Sequence, residues 1–219
     1  MSRKRLKQYL MLLLAIGVIA IAASGGGTFA SFSAQTANSG NTFATGTLVL
    51  QNTASATTCL STGGGNTNSN VNGACAKAIN VNLQEPGQST TGTVDLKNVG
   101  SLNGSTLTFT PSACTPSDVG TETYHGTGDP CGVLDVYVQE VDGSNNPISC
   151  LYGGGTATTC AFSDTKTLTA LAASGAASLG ALNAGATRHF VVGLELQSGA
   201  GNQYQGRQAS FDMTWNLGQ

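Results

Sequence analysis

Apolar and polar residues alternate in short runs along most of this chain. Ile79, Val81 and Leu83 alternate with polar neighbours, as do Val94 and Leu96, and then Leu107 and Phe109. A period of two marks a strand with one buried face. The strand candidates are Thr47 to Leu50, Ala78 to Leu83, Gly92 to Asn98, Ser105 to Thr110, Val133 to Val141, Ile148 to Leu151, Thr187 to Leu196 and Gln208 to Leu217. In the last of these Phe211, Met213 and Trp215 share a face. Glu85-Pro86-Gly87, Asn98-Val99-Gly100 and Pro111 end strands, and Asp142-Gly143 starts a hairpin. Lys166 to Ala173, rich in Ala and Leu, reads as a short helix or turn. About eight strands without a long amphipathic helix predict an all-β fold, an antiparallel β-sandwich or jelly roll. Alternating βαβ units and long internal repeats are not visible.

The first thirty residues follow a different pattern. Arg3, Lys4, Arg5 and Lys7 precede an apolar run, Leu10 to Ala23, that is shorter than the roughly 20 residues a spanning helix needs. Basic residues flank only its N-terminal side, which is signal-peptide architecture; an uncleaved anchor is the alternative. Small residues at Thr28 and Ala30 place cleavage between Ala30 and Ser31. The expected organisation is a signal peptide over 1–30, an extended arm over 31–43 and a β domain over 44–219. In the arm, Ser31 to Asn41 is polar and carries Phe32, Ala34 and Thr36 on one side when extended. The C-terminus, Trp215 to Gln219, offers no apolar tail or sorting motif.

Composition sharpens this picture. Only 9% of residues are charged, and once the leader is set aside five basic residues face eleven acidic ones. Phosphate affinity needs clustered Lys and Arg, so nucleic acid is not an expected partner. The six cysteines, Cys59, Cys75, Cys114, Cys131, Cys150 and Cys160, all follow the leader and read as disulfides of an exported protein. Local pairing, 59–75, 114–131 and 150–160, is the simplest of the fifteen connectivities that six cysteines allow. It would pin loops, including the Thr/Gly/Asn-rich stretch from Thr53 to Ala76. No C-x-x-C pair points to zinc.

The junction Gly25-Gly26-Gly27-Thr28-Phe29-Ala30, followed by Ser31-Phe32-Ser33 and Thr42-Phe43-Ala44-Thr45-Gly46-Thr47-Leu48, resembles that of TasA/camelysin-type exported proteins. Asn202-Gln203-Tyr204-Gln205-Gly206, with Phe211 and Trp215, resembles that family's closing segment. The resemblance covers the two ends, about a quarter of the chain. It implies a jelly-roll domain, processing by a dedicated SipW-type signal peptidase, and assembly into extracellular biofilm-matrix fibres. There, one subunit donates its N-terminal segment as a strand to the next. Here the donor would be Ser31, Phe32, Ala34 and Thr36 within Ser31 to Asn41, and the partner is another copy, with an accessory protein as a further expected partner. Contact with a membrane would come only through an uncleaved leader. The cysteines depart from the family pattern.

Catalytic signals are few. There are two histidines, His125 and His189, and no H-E-x-x-H. No G-x-S-x-G elbow occurs, and the glycine runs at 63–65 and 153–155 lack the Lys of a phosphate loop. Glu122, His125 and Asp129 form one acidic loop that could take calcium; the expectation is no cofactor. His189 is expected to point outward beside a core Phe190. A camelysin-type metalloendopeptidase and a carbohydrate-binding module, with Tyr137, Tyr152, Tyr204 and Trp215 as its platform, are the alternatives to a structural subunit.

Overall fold

A computed structural model describes residues 3–25, 44–64, 68–70, 75–80 and 85–219. It divides into two units, 1–44 and 45–219. The first contains one helix, α1 (Arg3–Gly25), which holds the whole apolar run from Leu10 to Ala23. The Ala30–Ser31 junction, the arm from Ser31 to Asn41 with Phe32, Ala34 and Thr36, and Val81 to Leu83 lie outside the described residues.

The second unit is built of antiparallel strands. In chain order they are β1 (Leu50–Ala54), β2 (Thr57–Leu60), β3 (Ser89–Asn98), β4 (Gly104–Pro111), β5 (Thr115–Asp118), β6 (Leu134–Val141), β7 (Pro147–Tyr152), β8 (Gly154–Gly155), β9 (Cys160–Ala161), β10 (Ala177–Leu182), β11 (Thr187–Leu196), β12 (Arg207–Ser210) and β13 (Met213–Gly218), with a short helix α2 (Leu168–Ser174) before β10. One sheet runs β2-β1-β3-β11-β6-β7 and another β10-β4-β13, while β12 pairs with β5 and β8 with β9. The β5–β12 and β4–β13 ladders continue one another. The break between them is bridged by Ser112 N–H to Asp212 O at 2.9 Å and Asp212 N–H to Ser112 Oγ at 2.8 Å.

Side chains from both larger sheets meet in one core. Val94 and Leu96 of β3, Val136 and Val138 of β6 and Phe190 and Val192 of β11 bury one face of the six-stranded sheet. Leu107 and Phe109 of β4, Trp215 of β13 and Leu182 of β10 come from the other sheet, and Leu168 and Leu171 of α2 join them. Helix α2 starts at Thr167, whose Oγ1 accepts from Ala170 N–H, as a helix N-cap should. Asn98, fully buried at the end of β3, has every polar function of its side chain engaged. Its Nδ2 donates to Leu102 O (2.8 Å) and Leu182 O (3.0 Å), and its Oδ1 accepts from Gly100 N–H (3.0 Å).

Several sequence expectations shift. The first strand is Leu50–Ala54 rather than Thr47 to Leu50, because Thr47 instead accepts from Ser101 and Leu102 N–H. Part of the expected loop from Thr53 to Ala76 is a hairpin, with Ser55 and Ala56 at positive φ in the turn. Ala78, Ile79 and Asn80 are not in a strand. The expected strand from Gln208 to Leu217 is split at Phe211-Asp212. The hairpin after Val141 forms as expected, with Asp142 Oδ1 accepting from Ser144 and Asn146 N–H, both at 2.8 Å.

Three disulfides join Cys59 to Cys75, Cys114 to Cys131 and Cys150 to Cys160, the local pairing. Three such bonds fit an oxidising, extracellular setting. Among the described residues no helix is long and apolar enough to cross a membrane.

Candidate functional site

A sheet edge carries unpaired N–H and C=O groups, so every edge needs either cover or a partner. Most edges here are covered or broken. β2 is four residues long, is tied to the following segment by the Cys59–Cys75 bond, and its Leu60 carbonyl takes a bond from Asn70 Nδ2. β7 begins at Pro147, has register shifts against β6, and has Cys150 N–H bonded to Ala157 O at 2.8 Å. β10 is bulged around Gly180, which sits at φ 81°.

The edge formed by β12 and β13 is different. Among the described residues each strand is paired on one side only, with β5 and with β4. Along it runs a groove of about 1090 Å³. Every residue from Arg207 to Leu217 borders that groove. Side chains of a strand alternate between faces, so eleven consecutive residues can line a space only if it lies against the strand's edge.

The opposite wall and floor belong to the six-stranded sheet. Leu50 and Ala54 of β1, Cys59 of β2, Val94 of β3 and Leu194 of β11 contribute their inward side chains, and the segment from Cys75 to Asn80 closes the far side. Asn52, between Leu50 and Ala54, has its Oδ1 buried with no hydrogen-bond partner among the described residues. A buried acceptor left unbonded is costly, and a donor entering the groove would relieve that cost. At the start of the edge, Arg207 is held by Asp118 and by its Nε–H bond to Gly128 O at 3.2 Å. The floor is thus apolar apart from Asn52, the edge offers backbone bonds, and the shape is long. Such a site fits an extended peptide.

The loop with Glu122, His125 and Asp129 is committed elsewhere. His125 Nδ1 lies 2.8 Å from Gly206 O, and Asp129 Oδ1 accepts from Cys131 N–H at 2.9 Å, capping a turn. Glu122 is exposed. No three His, Cys, Asp or Glu side chains among the described residues are grouped to hold a metal ion. His189 points outward as expected, with Nδ1 2.8 Å from Asp95 Oδ1, beside a fully buried Phe190.

The aromatic residues have separate jobs. Trp215 is core, between Phe109 and Phe190; Tyr152 donates to Thr167 O at 3.4 Å; Tyr137 packs on Phe162. Burial pushes the phenols of Tyr137 and Tyr152 up from their ordinary pKa, as expected of packing residues.

A cluster that sequence reasoning missed is Asp135, Asp164 and Glu195. Asp135 is 1% exposed and accepts from Gln197 Nε2 at 2.7 Å. Burial, and then the charge of Asp164, push its pKa up against the Gln197 bond. Burial, with Asp135 and Asp164 nearby, does the same to Glu195. Asp135 and Glu195 are cross-strand neighbours in the β6–β11 register, a pairing that sequence alone does not specify. Compared with known proteins, the chain matches no protein-family model and no curated protein.

Proposed function

We propose that this chain is a secreted structural subunit. In this reading the β domain is a jelly-roll type β-sandwich that polymerises into extracellular fibres, as the resemblance of its ends to TasA/camelysin-type proteins implies. Copies join when the arm of one, Ser31 to Asn41, enters the groove along β12 and β13 of the next. The observation that carries the reading is that edge: among the described residues it is paired on one side only, and all of 207–217 border the groove.

The arm suits the groove in length and chemistry. It too is eleven residues long, about 36 Å when extended, and it has no charged side chain. Phe32, Ala34 and Thr36 would face Leu50, Ala54 and Val94 while the arm's backbone pairs with β13. The contact is head-to-tail and does not close on itself, so it yields a filament rather than a ring. Processing by a dedicated signal peptidase would free the arm for its neighbour.

Deleting 31–41 tests the reading. The core lies within 45–219, so the truncated protein is expected to stay folded and to form no filaments in negative-stain images. Filaments at normal yield from the truncated protein would remove the arm's donor role.

A further inference from the structure

Among the described residues, one wall of the groove has few attachments. Cys75 to Asn80 forms no strand or helix. Among the described residues its polar attachment is a single bond, Ser55 Oγ–H to Lys77 O at 2.9 Å, at an exposed position. Ala76, Ala78 and Ile79 are only partly buried against the core. Ala78 lies flat on β3, where a Cβ at Gly92 would collide with the Ala78 carbonyl. The covalent attachment is Cys59–Cys75. Cys59 is 8% exposed and inward on β2, and both cysteines border the groove. The other two disulfides, 114–131 and 150–160, do not border it.

The attachments seen among the described residues, one exposed hydrogen bond and partial packing, are weak against the entropy of holding six residues in place. A cross-link to a buried strand residue removes much of that entropy. The Cys59–Cys75 bond therefore shapes the groove directly, whereas 114–131 supports β5 behind β12 and 150–160 holds a region away from the groove.

We infer that Cys59–Cys75 is a redox gate on assembly: the strand-accepting groove is complete only when this disulfide is closed. The inference rests on the groove being the acceptor site of the proposed function. Closing the bond takes two electrons and two protons from the thiols, which pass to a disulfide-bearing oxidant through a mixed disulfide; the oxidant leaves as its dithiol. A reducing cytosol keeps both thiols free, so copies do not join there, and export to an oxidising compartment licenses polymerisation.

The test uses the full chain exported by a bacterial host, and compares Cys59→Ala/Cys75→Ala with wild type and with Cys150→Ala/Cys160→Ala. Hydroxyl-radical footprinting of Ile79 reads the wall without requiring assembly, light scattering and electron microscopy read fibres, and Trp215 emission reads the fold. In the 59/75 variant, Ile79 labelling should rise several-fold and fibre yield should fall at least tenfold, with Trp215 emission unchanged. The 150/160 variant should keep both at wild-type level. Brief dithiothreitol treatment of wild type should reproduce the open wall, the reagent becoming its cyclic disulfide as Cys59 and Cys75 become thiols.

Unchanged Ile79 labelling overturns the gate, and so does an open wall with undiminished fibres. Red-shifted Trp215 emission in both the variant and the reduced protein also overturns it, because the bond would then hold the whole fold. If oxidised wild type makes no fibres, the parent reading falls, and the gate with it; that outcome shows in the wild-type control, whatever Ile79 does.

Discussion

Trp215 of β13 stacks at a tilt on Phe190 of β11, with ring centroids 4.8 Å apart, so the strand bordering the groove is anchored to the centre of the six-stranded sheet. Phe109, the register partner of Trp215 on β4, has its ring centroid 4.8 Å from the indole. The edge strand is thus packed into the core on one face, while among the described residues its outer edge has no strand partner. In the proposed assembly this strand receives another and has to hold its own register, and the aromatic contact supplies that hold.

Trp215→Ala should therefore cost about 3–5 kcal/mol, the usual range for an aromatic removed from a packed core. Urea denaturation followed by circular dichroism measures it. A loss below about 1 kcal/mol would mean that the indole is not central to the packing.

Arg188 and Glu140 form a bidentate pair, Nε to Oε1 and Nη2 to Oε2, both at 2.6 Å, and Arg188 Nη1 also reaches Leu179 O. Their side chains are 18% and 11% exposed. Glu140→Leu alone strands a largely buried guanidinium and should cost about 3–5 kcal/mol. Adding Arg188→Met should recover most of that loss. A double-mutant cycle by chemical denaturation checks the coupling, and simple additivity would contradict it.

Asn98 joins the end of β3 to β10 and to the turn before β4. Asn98→Ala leaves the carbonyls of Leu102 and Leu182 without that donor, and should cost about 2–3 kcal/mol. Asn98→Asp should be no milder, since it keeps the acceptor and loses both donors. Thermal melts of the two variants are the measurement.

The Asp135 carboxyl titrates above its ordinary 3.8 because it is buried and next to Asp164. Between the unfolded and folded pKa values the folded state holds the extra proton, so this group's contribution to stability falls as pH rises through that window. It is fully favourable only below the unfolded value. Asp135→Asn should be at least as stable as wild type near pH 7, and that advantage should vanish towards about pH 4. Denaturation midpoints across this range test it. A variant uniformly less stable at every pH would show that the carboxylate's bond to Gln197 outweighs its burial.

Much of the fold was legible in residue alternation. β11 runs from Thr187 to Leu196 as its Phe190, Val192 and Leu194 pattern requires, and β3, β4, β6 and β7 agree within a few residues. The misses have physical causes. β2 follows a turn whose positive-φ residues are Ser55 and Ala56, not glycine, so no turn signal marks it. β5 contains Pro116 and β10 contains Gly180, residues that weaken any strand pattern. The groove was not legible, because it joins residues near 50, 75–80 and 207–217 that meet only after the sheets have formed.

The central claim is that the β12–β13 edge receives the arm of another copy. A photo-crosslinking phenylalanine analogue at Phe32, in fibres mixed from heavy- and light-nitrogen protein, tests it most directly. The account predicts crosslinks from position 32 of one isotope to peptides within 207–217 of the other. Crosslinks confined to single copies, or joining copies elsewhere, would contradict it.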